Sequence, residues 1–151
     1  MRYRLIAIGQ LKRGFYAEAC RHYQKRLQAL AKLELLELKE GKGSAQEVQA
    51  SESRALLRAA NGYLIALDER GWQGGSRELA ARIGALENRG VSQICLLVGG
   101  AEGHHPTLLS EVDERWSLSE LTLPHELARL VLLEQLYRAE TIRAGHPYHR
   151  G

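Results

Sequence analysis

Short apolar runs of strand length alternate with longer helix-like segments along the whole chain, and this alternation constrains the fold most. The strand-like runs are Tyr3 to Ile8, Leu33 to Leu38, Tyr63 to Leu67, Gln93 to Val98 and Arg115 to Leu118. The helix-like segments are Phe15 to Leu30, Ala45 to Ala60, Ser76 to Arg89, Thr107 to Asp113 and Pro124 to Ala144. The pattern predicts an α/β fold, a mostly parallel sheet with helices on both faces.

Capping signals support these boundaries. Ser44 lies three residues before Glu47, so its oxygen can accept a free amide while the Glu47 side chain reaches back to the Ser44 amide. Gly62 and Gly90 follow helix-like segments and are suited to end them, and Pro106 suits a first helical turn.

The length of 151 residues is typical of one domain, and we expect a single domain over residues 1–151. No apolar run approaches the ~18 residues that a membrane-spanning helix needs. The first apolar stretch is followed by Lys12 and Arg13, which favours a first strand over a secretion signal, and we expect a cytoplasmic protein. The net charge of +3 permits a polyanionic partner without requiring one.

Several chemistries lose support because their motifs are absent. The chain contains no dinucleotide fingerprint, no phosphate-binding loop of the NTPases and no nucleophile elbow. The adjacent His104 and His105 lack the other ligands of a metal site, so we interpret them as surface or turn residues and expect no metal. Cys20 and Cys95 have no redox or metal spacing and are predicted to be buried, reduced thiols.

A cleft is predicted where three loops follow strand-like runs. The turn with Gly99, Gly100 and Gly103 follows a buried run, at the edge where open α/β sheets bind small molecules. The loops 68–71 and 121–124 would supply two more walls, with backbone groups to bind an adenine edge and leucines to sandwich the ring. The alternative is that the glycines only make a tight connection between a strand and a helix.

In combination, the motifs of this chain resemble the RlmH methyltransferases, which belong to the SPOUT class. They are Leu67-Asp68-x-x-Gly71, Gly99-Gly100-x-x-Gly103, Ser117-Leu118-Ser119 with Leu121-Thr122-x-Pro124-His125, Glu134-Gln135-x-Tyr137-Arg138-Ala139, and His146-Pro147-Tyr148-His149. The resemblance spans essentially the whole chain. It departs mainly between Asp68 and Gly75, where Trp72 to Ser76 replace a double serine associated with the family.

This resemblance implies an enzyme that uses S-adenosylmethionine to methylate N3 of a pseudouridine in large-subunit (23S) ribosomal RNA, on the assembled ribosome. It also implies a C-terminal trefoil knot, and a homodimer whose active site forms at the subunit boundary without a metal. The residues that match the family's cofactor contacts are Leu67, Gly99, Gly100, Gly103, Ser119, Glu120, Leu121, Thr122, Leu123 and Pro124.

Three residues near the carboxyl end are the predicted catalytic residues: Arg138, Tyr148 and His149. The imide nitrogen of the base must lose its proton, and a permanent cation such as Arg138 favours the resulting anion. Glu134, one turn earlier, can orient this arginine; alternatively, the two form a structural ion pair. Tyr148 and His149 are predicted to accept or relay the proton, or to stack on the base.

The last helix-like segment, Pro124 to Ala144, is apolar on more sides than one sheet face can cover. We therefore predict that it lies at a homodimer interface; the alternative is a helix at the centre of one monomer. The predicted RNA contacts are seven basic residues: Lys12, Arg13, Arg21, Lys25, Arg26, Arg143 and Arg150. A solvated helix face would show the same pattern of charge.

Two other classes of function stay open on the sequence. A ribosome-associated factor that has the fold without the activity would bind S-adenosylmethionine weakly or not at all. A small-molecule α/β enzyme could use the same crevice for a different nucleotide, but the missing phosphate loops disfavour it.

Overall fold

The structure is a computed structural model that describes residues 1–151. Five strands form one sheet: β1 (Arg2–Ile8), β2 (Lys32–Leu38), β3 (Tyr63–Trp72), β4 (Gln93–Val98) and β5 (Glu114–Trp116). All neighbouring strands are parallel and their order is β2-β1-β4-β3-β5. The helices are α1 (Phe15–Gln28), α2 (Ala45–Ala59), α3 (Ser76–Asn88), α4 (Pro106–Glu111) and α5 (His125–Arg143). The predicted α/β class is confirmed, and the trefoil knot stays a prediction.

The helices cover both faces of the sheet, as the alternation predicts. Along β1, Tyr3, Leu5 and Ala7 pack in a core with residues of α1, α3 and α5. The intervening Ile6 and Ile8 pack in a second core with residues of α2 and α4. Successive side chains of a strand point to opposite faces, so a strand that is apolar at nearly every position is buried on both sides.

The predicted caps are confirmed. The Glu47 amide donates to the Ser44 hydroxyl at 3.2 Å, and the Ser44 amide donates to the Glu47 carboxylate at 3.2 Å. Pro106 is the first residue of α4. Gly62 adopts a φ of 88°, a left-handed conformation that glycine reaches without strain. Cys20 and Cys95 are buried and unpaired, also as predicted.

The structure differs from the sequence prediction at β3, which continues beyond Leu67 to Trp72. Residues 68–71 are predicted as a loop wall, but the strand continues through them and pairs irregularly with β5: both Leu67 and Trp72 lie opposite Trp116. Gly71 permits this close approach, since a Cβ there would lie 2.5 Å from the carbonyl carbon of Arg115. One wall of the predicted cleft is therefore a strand rather than a flexible loop.

Helix α5 is largely buried inside a single chain, between α1 and α3. Leu132, Leu133 and Leu136 are fully covered, whereas Leu130 and Val131 are only half-buried. Its apolar centre is thus explained mostly by the alternative of a central helix, and the homodimer has to be argued on other grounds. Neither α5 nor any other helix combines the length and apolarity needed to cross a bilayer.

A buried arginine joins α5 to the carboxyl ends of β1 and β2. Arg129 is 2% exposed, and it donates to the Glu37 carboxylate at 2.5 Å and to the Gly9 carbonyl at 2.9 Å. Breaking a buried ion pair from one side leaves the partner groups unpaired and desolvated.

We expect Arg129→Ala to lower the free energy of unfolding by about 3 kcal/mol, because two backbone carbonyls would lose this donor and Glu37 would keep only the Leu11 amide. Urea denaturation measures this. The matched control is Arg54→Ala at an exposed position of α2, which should change stability by no more than about 0.5 kcal/mol. Equal effects of the two substitutions would contradict the structural role of Arg129.

Candidate functional site

A cleft lies at the carboxyl ends of β3 and β4, beside the start of α5, and it holds about 690 Å³ of empty space that is partly open to solvent. The chain leaves β3 toward α3 on one face and leaves β4 toward α4 on the other. Such divergence opens a crevice, which is where α/β sheets bind ligands.

Seven of the ten predicted cofactor residues line this cleft: Leu67, Gly99, Gly100, Gly103, Ser119, Leu121 and Leu123. The other three, Glu120, Thr122 and Pro124, do not. Every second residue from 119 to 123 therefore lines the cleft, and the residues between them do not. That the seven bind a cofactor stays a prediction.

Hydrogen bonds within the chain shape the two loops. The Ser117 hydroxyl donates to the Ser119 carbonyl at 2.9 Å, and the Leu121 amide donates to the Ser119 hydroxyl at 2.9 Å. In the glycine turn, the Gly103 amide donates to the Gly100 carbonyl at 3.1 Å, and Gly103 has a φ of 71°. Both walls are thus held in shape without a ligand.

Two buried acceptors in the cleft have no hydrogen-bond partner in the chain. They are Oδ2 of Asp68, whose nearest cation, Arg70, is 4.0 Å away, and Nδ1 of His104. Burial lowers the pKa of His104, so its ring is neutral, and Nε2 lies 3.2 Å from the Leu97 carbonyl. We therefore assign the ring proton to Nε2, which leaves Nδ1 as an acceptor. Unpaired buried acceptors fit a ligand that carries hydroxyl or amino donors, as a nucleoside does.

The sequence predicts His104 to be a surface or turn residue, but the structure places its side chain in the wall of the cleft. This histidine is half-buried. His105 does lie in the turn, where its Nδ1 accepts from the Thr107 amide at 3.1 Å and caps α4. The sequence signal for His104 was its position one residue after Gly103. The other lining residues that were not predicted as contacts are Asp68, Glu69, Val98, Leu118, His125 and Ala128.

The three predicted catalytic residues meet beside the second half of α5, where the chain's tail folds back on the helix. Arg138 and Tyr148 both donate to Oε2 of Glu134, at 2.7 and 2.8 Å, and Nη1 of Arg138 lies 3.0 Å from Nδ1 of His149. The Arg138 guanidinium also lies 4.7 Å from the centre of the Tyr148 ring. We call Glu134, Arg138, Tyr148 and His149 the tail cluster.

The tail cluster presents donors rather than a free base. Burial and the hydrogen bond to Glu134 raise the pKa of Tyr148, so this phenol stays protonated. Burial would raise the pKa of Glu134, but the hydrogen bonds from Arg138 and Tyr148 outweigh it and lower that pKa. Because arginine only donates, Nδ1 of His149 accepts and Nε2 carries the proton. The geometry therefore favours stabilisation of an anion over proton acceptance by the tail.

Within one chain the cleft and the tail cluster are far apart. Ala128 lines the cleft and Arg138 belongs to the cluster, ten positions further along α5. At 1.5 Å of rise per residue, Ala128 and Arg138 are about 15 Å apart along the helix axis. No residue of the tail cluster lines the cleft of its own chain.

The predicted RNA contacts divide into free and engaged residues. Arg143 is ion-paired with Glu87 and Glu140, each at 2.7 Å, so it is not available as predicted. Arg26 lies 5.9 Å from the centre of the Tyr148 ring. The remaining five are exposed: Lys12, Arg13, Arg21, Lys25 and Arg150.

The chain is similar to known methyltransferases over its full length. The family described as "Predicted SPOUT methyltransferase" matches residues 1–149. A curated "Ribosomal RNA large subunit methyltransferase H" from Synechococcus sp. (strain RCC307) is 47% identical over 149 residues, covering 99% of this chain and 95% of the relative. Its namesake in Gloeobacter violaceus is 43% identical, covering 100% of both chains.

A solved structure, a probable methylase family protein from Haemophilus influenzae, has a similar fold. It matches with a TM-score of 0.55 and 12% identity, covering 99% of this chain and 70% of the other. At this identity the match supports the architecture described above and nothing about the chemistry.

Proposed function

The chain belongs to the SPOUT methyltransferase family, and we propose that it methylates large-subunit ribosomal RNA with S-adenosylmethionine as the methyl donor. The observation that carries the proposal is its full-length similarity to relatives named ribosomal RNA large subunit methyltransferase H. We further propose, from the motifs, that the target is N3 of a pseudouridine on the assembled ribosome. The enzyme would be one cytoplasmic domain of residues 1–151.

The cleft supports the assignment of the donor. Leu118, Leu121 and Leu123 can flank a flat adenine ring, and the glycines let a ligand approach the backbone. Asp68 and His104 offer acceptors to the donors of a nucleoside. The bound donor supplies an electrophilic methyl group on a sulfonium, which reacts by in-line displacement.

We propose a homodimer because the site is incomplete in one chain. No residue of the tail cluster lines the cleft of the same chain, and Arg138 lies about 15 Å beyond Ala128 along α5, so we assign the cluster that acts at one cleft to the second subunit. The half-buried Leu130 and Val131 and the exposed Leu121, at 74%, provide apolar surface for such contact.

At the composite site, the tail cluster would stabilise the target base as an anion. Nε2 of His149 and the second N–H of the Arg138 Nη1, whose first N–H is donated to Nδ1 of His149, are the donors available to an imide that has released its proton to water. Glu134 and Tyr148 hold the guanidinium in place and do not take the proton. Methyl transfer then depends on position and charge, which the rigid helix α5 supplies.

The proposal is tested by methylation of ribosomes from a strain that lacks this gene. With tritiated S-adenosylmethionine, we expect incorporation into the large-subunit RNA of whole ribosomes, and mass analysis should locate the label on a pseudouridine. Naked RNA should react poorly, and its efficient methylation would contradict the preference for the assembled particle. A chain that binds no S-adenosylmethionine in calorimetry would instead be a ribosome-associated factor without this activity.

A further inference from the structure

A second cavity adjoins the cleft on the other side of the β4 end. It holds about 540 Å³ of empty space and lies at the carboxyl ends of β1 and β2. Gly100 and His125 line both cavities, so the two are neighbours across the glycine turn. We call it the acidic cavity, because Glu40, Glu52 and Glu102 line it and no lysine or arginine does.

One of these carboxylates is buried with an unused oxygen. Glu52 is 4% exposed; its Oε2 accepts from the Gly41 amide at 2.9 Å, while its Oε1 has no partner. Oε1 faces Gly100, since a Cβ at that glycine would lie 3.0 Å from it. A buried carboxylate is costly unless it is paired, and truly orphaned groups of this kind are rare.

A cation would neutralise this buried carboxylate as well as satisfy its free oxygen, and the chemical class of that cation can be narrowed. No three His, Cys, Asp or Glu side chains of the chain are grouped closely enough to hold a metal ion. A primary ammonium needs fewer ligands and can donate up to three hydrogen bonds. The methyl donor of the proposed function carries such an ammonium on the flexible amino-acid chain attached to its sulfur.

We propose that Glu52 binds the ammonium of the methyl donor's amino-acid part, which passes from the cleft into the acidic cavity beside Gly100. The absence of a side chain at Gly100 leaves the carboxylate oxygen open to that turn. Holding the chain at both the adenosine and the ammonium fixes the direction of the sulfonium between them. This inference rests on the proposed function and adds a binding residue to it.

The test compares two ligands on Glu52→Gln, a substitution that keeps the shape and the acceptor for the Gly41 amide but removes the charge. In calorimetry, we expect the affinity for S-adenosylmethionine to fall by about tenfold or more, because a hydrogen bond to a charged group is lost. The affinity for 5′-methylthioadenosine, which has no amino-acid part, should stay unchanged. The matched control Glu102→Gln, at an exposed position of the same cavity, should leave both affinities unchanged.

Other outcomes overturn the inference. Equal weakening of both ligands would show that Glu52 only supports the fold, and no weakening of either would show that the ammonium binds elsewhere. If Glu52→Gln weakened the binding of spermidine but not of S-adenosylmethionine, the acidic cavity would be a site for a polyamine rather than for the methyl donor. If Glu52→Gln does not fold, calorimetry on the wild-type chain still tests the inference. An S-adenosylhomocysteine analogue without the amino group must then bind more weakly than S-adenosylhomocysteine itself. Failure of the wild-type chain to bind S-adenosylmethionine would refute the proposed function itself.

Discussion

Removal of residues 147–151 is expected to abolish methyl transfer while S-adenosylmethionine still binds. The deletion takes away Tyr148 and His149, and with them two contacts of the tail cluster. No residue beyond Ala128 lines the cleft, so donor binding should persist. Loss of preorganised donors commonly costs about 10²–10³ in turnover, and we expect at least that loss in a tritiated-methyl assay.

A shorter truncation is the matched control. Removal of Gly151 alone leaves Tyr148, His149 and Arg150 in place and deletes only the terminal contact to the Arg77 side chain. We expect this variant to retain most of its turnover. Unchanged activity of the five-residue deletion, or equal losses in the two variants, would contradict a catalytic role of the tail cluster.

Two inactive variants are expected to restore activity when they share a dimer. Arg138→Ala removes the tail cluster's cation, and Leu123→Asp places a charge in the apolar wall of the cleft. In a mixed dimer one site combines the intact cleft of the first variant with the intact tail cluster of the second. Twofold symmetry then predicts about half of the wild-type activity per mixed dimer.

The mixed dimers can be isolated with two affinity tags and assayed on ribosomes. Each variant alone should be a folded dimer in sedimentation and nearly inactive. If both groups acted within a single chain, mixing would restore nothing, because neither protomer carries a complete site. If sedimentation showed the wild-type chain to be a monomer at micromolar concentration, this result would contradict a site built from two subunits.

Most of the fold could be predicted because its signals are local. The apolar run 93–98 and the Ser44 cap each depend on a few neighbouring residues, and both match the structure. Where the signal was polar, the prediction failed: residues 68–71 read as a loop, yet pairing with β5 makes them a strand. His104 was missed for the same reason, since its burial depends on neighbours distant in sequence.

The candidate site was predictable in its parts but not in its arrangement. The glycine turn and the loop after β5 were identified as two walls of one cleft, and they do meet there. The Arg138 and Glu134 pair was also expected, from helical spacing alone. The sequence could not show that Tyr148 donates to that same carboxylate; its predicted role, to accept or relay the proton or to stack on the base, stays a prediction.

By itself, the sequence determined which segments become strands and helices, where they are capped, and which family the chain resembles, because those features are written in short patterns. Only the tertiary structure decided that Glu52, 48 positions before Gly100, faces that glycine with an unpaired oxygen. It also decided that the cleft lies beside the start of α5 while the tail cluster forms further along the helix. Both depend on strand order and helix packing, which join residues far apart in the chain and leave no local pattern.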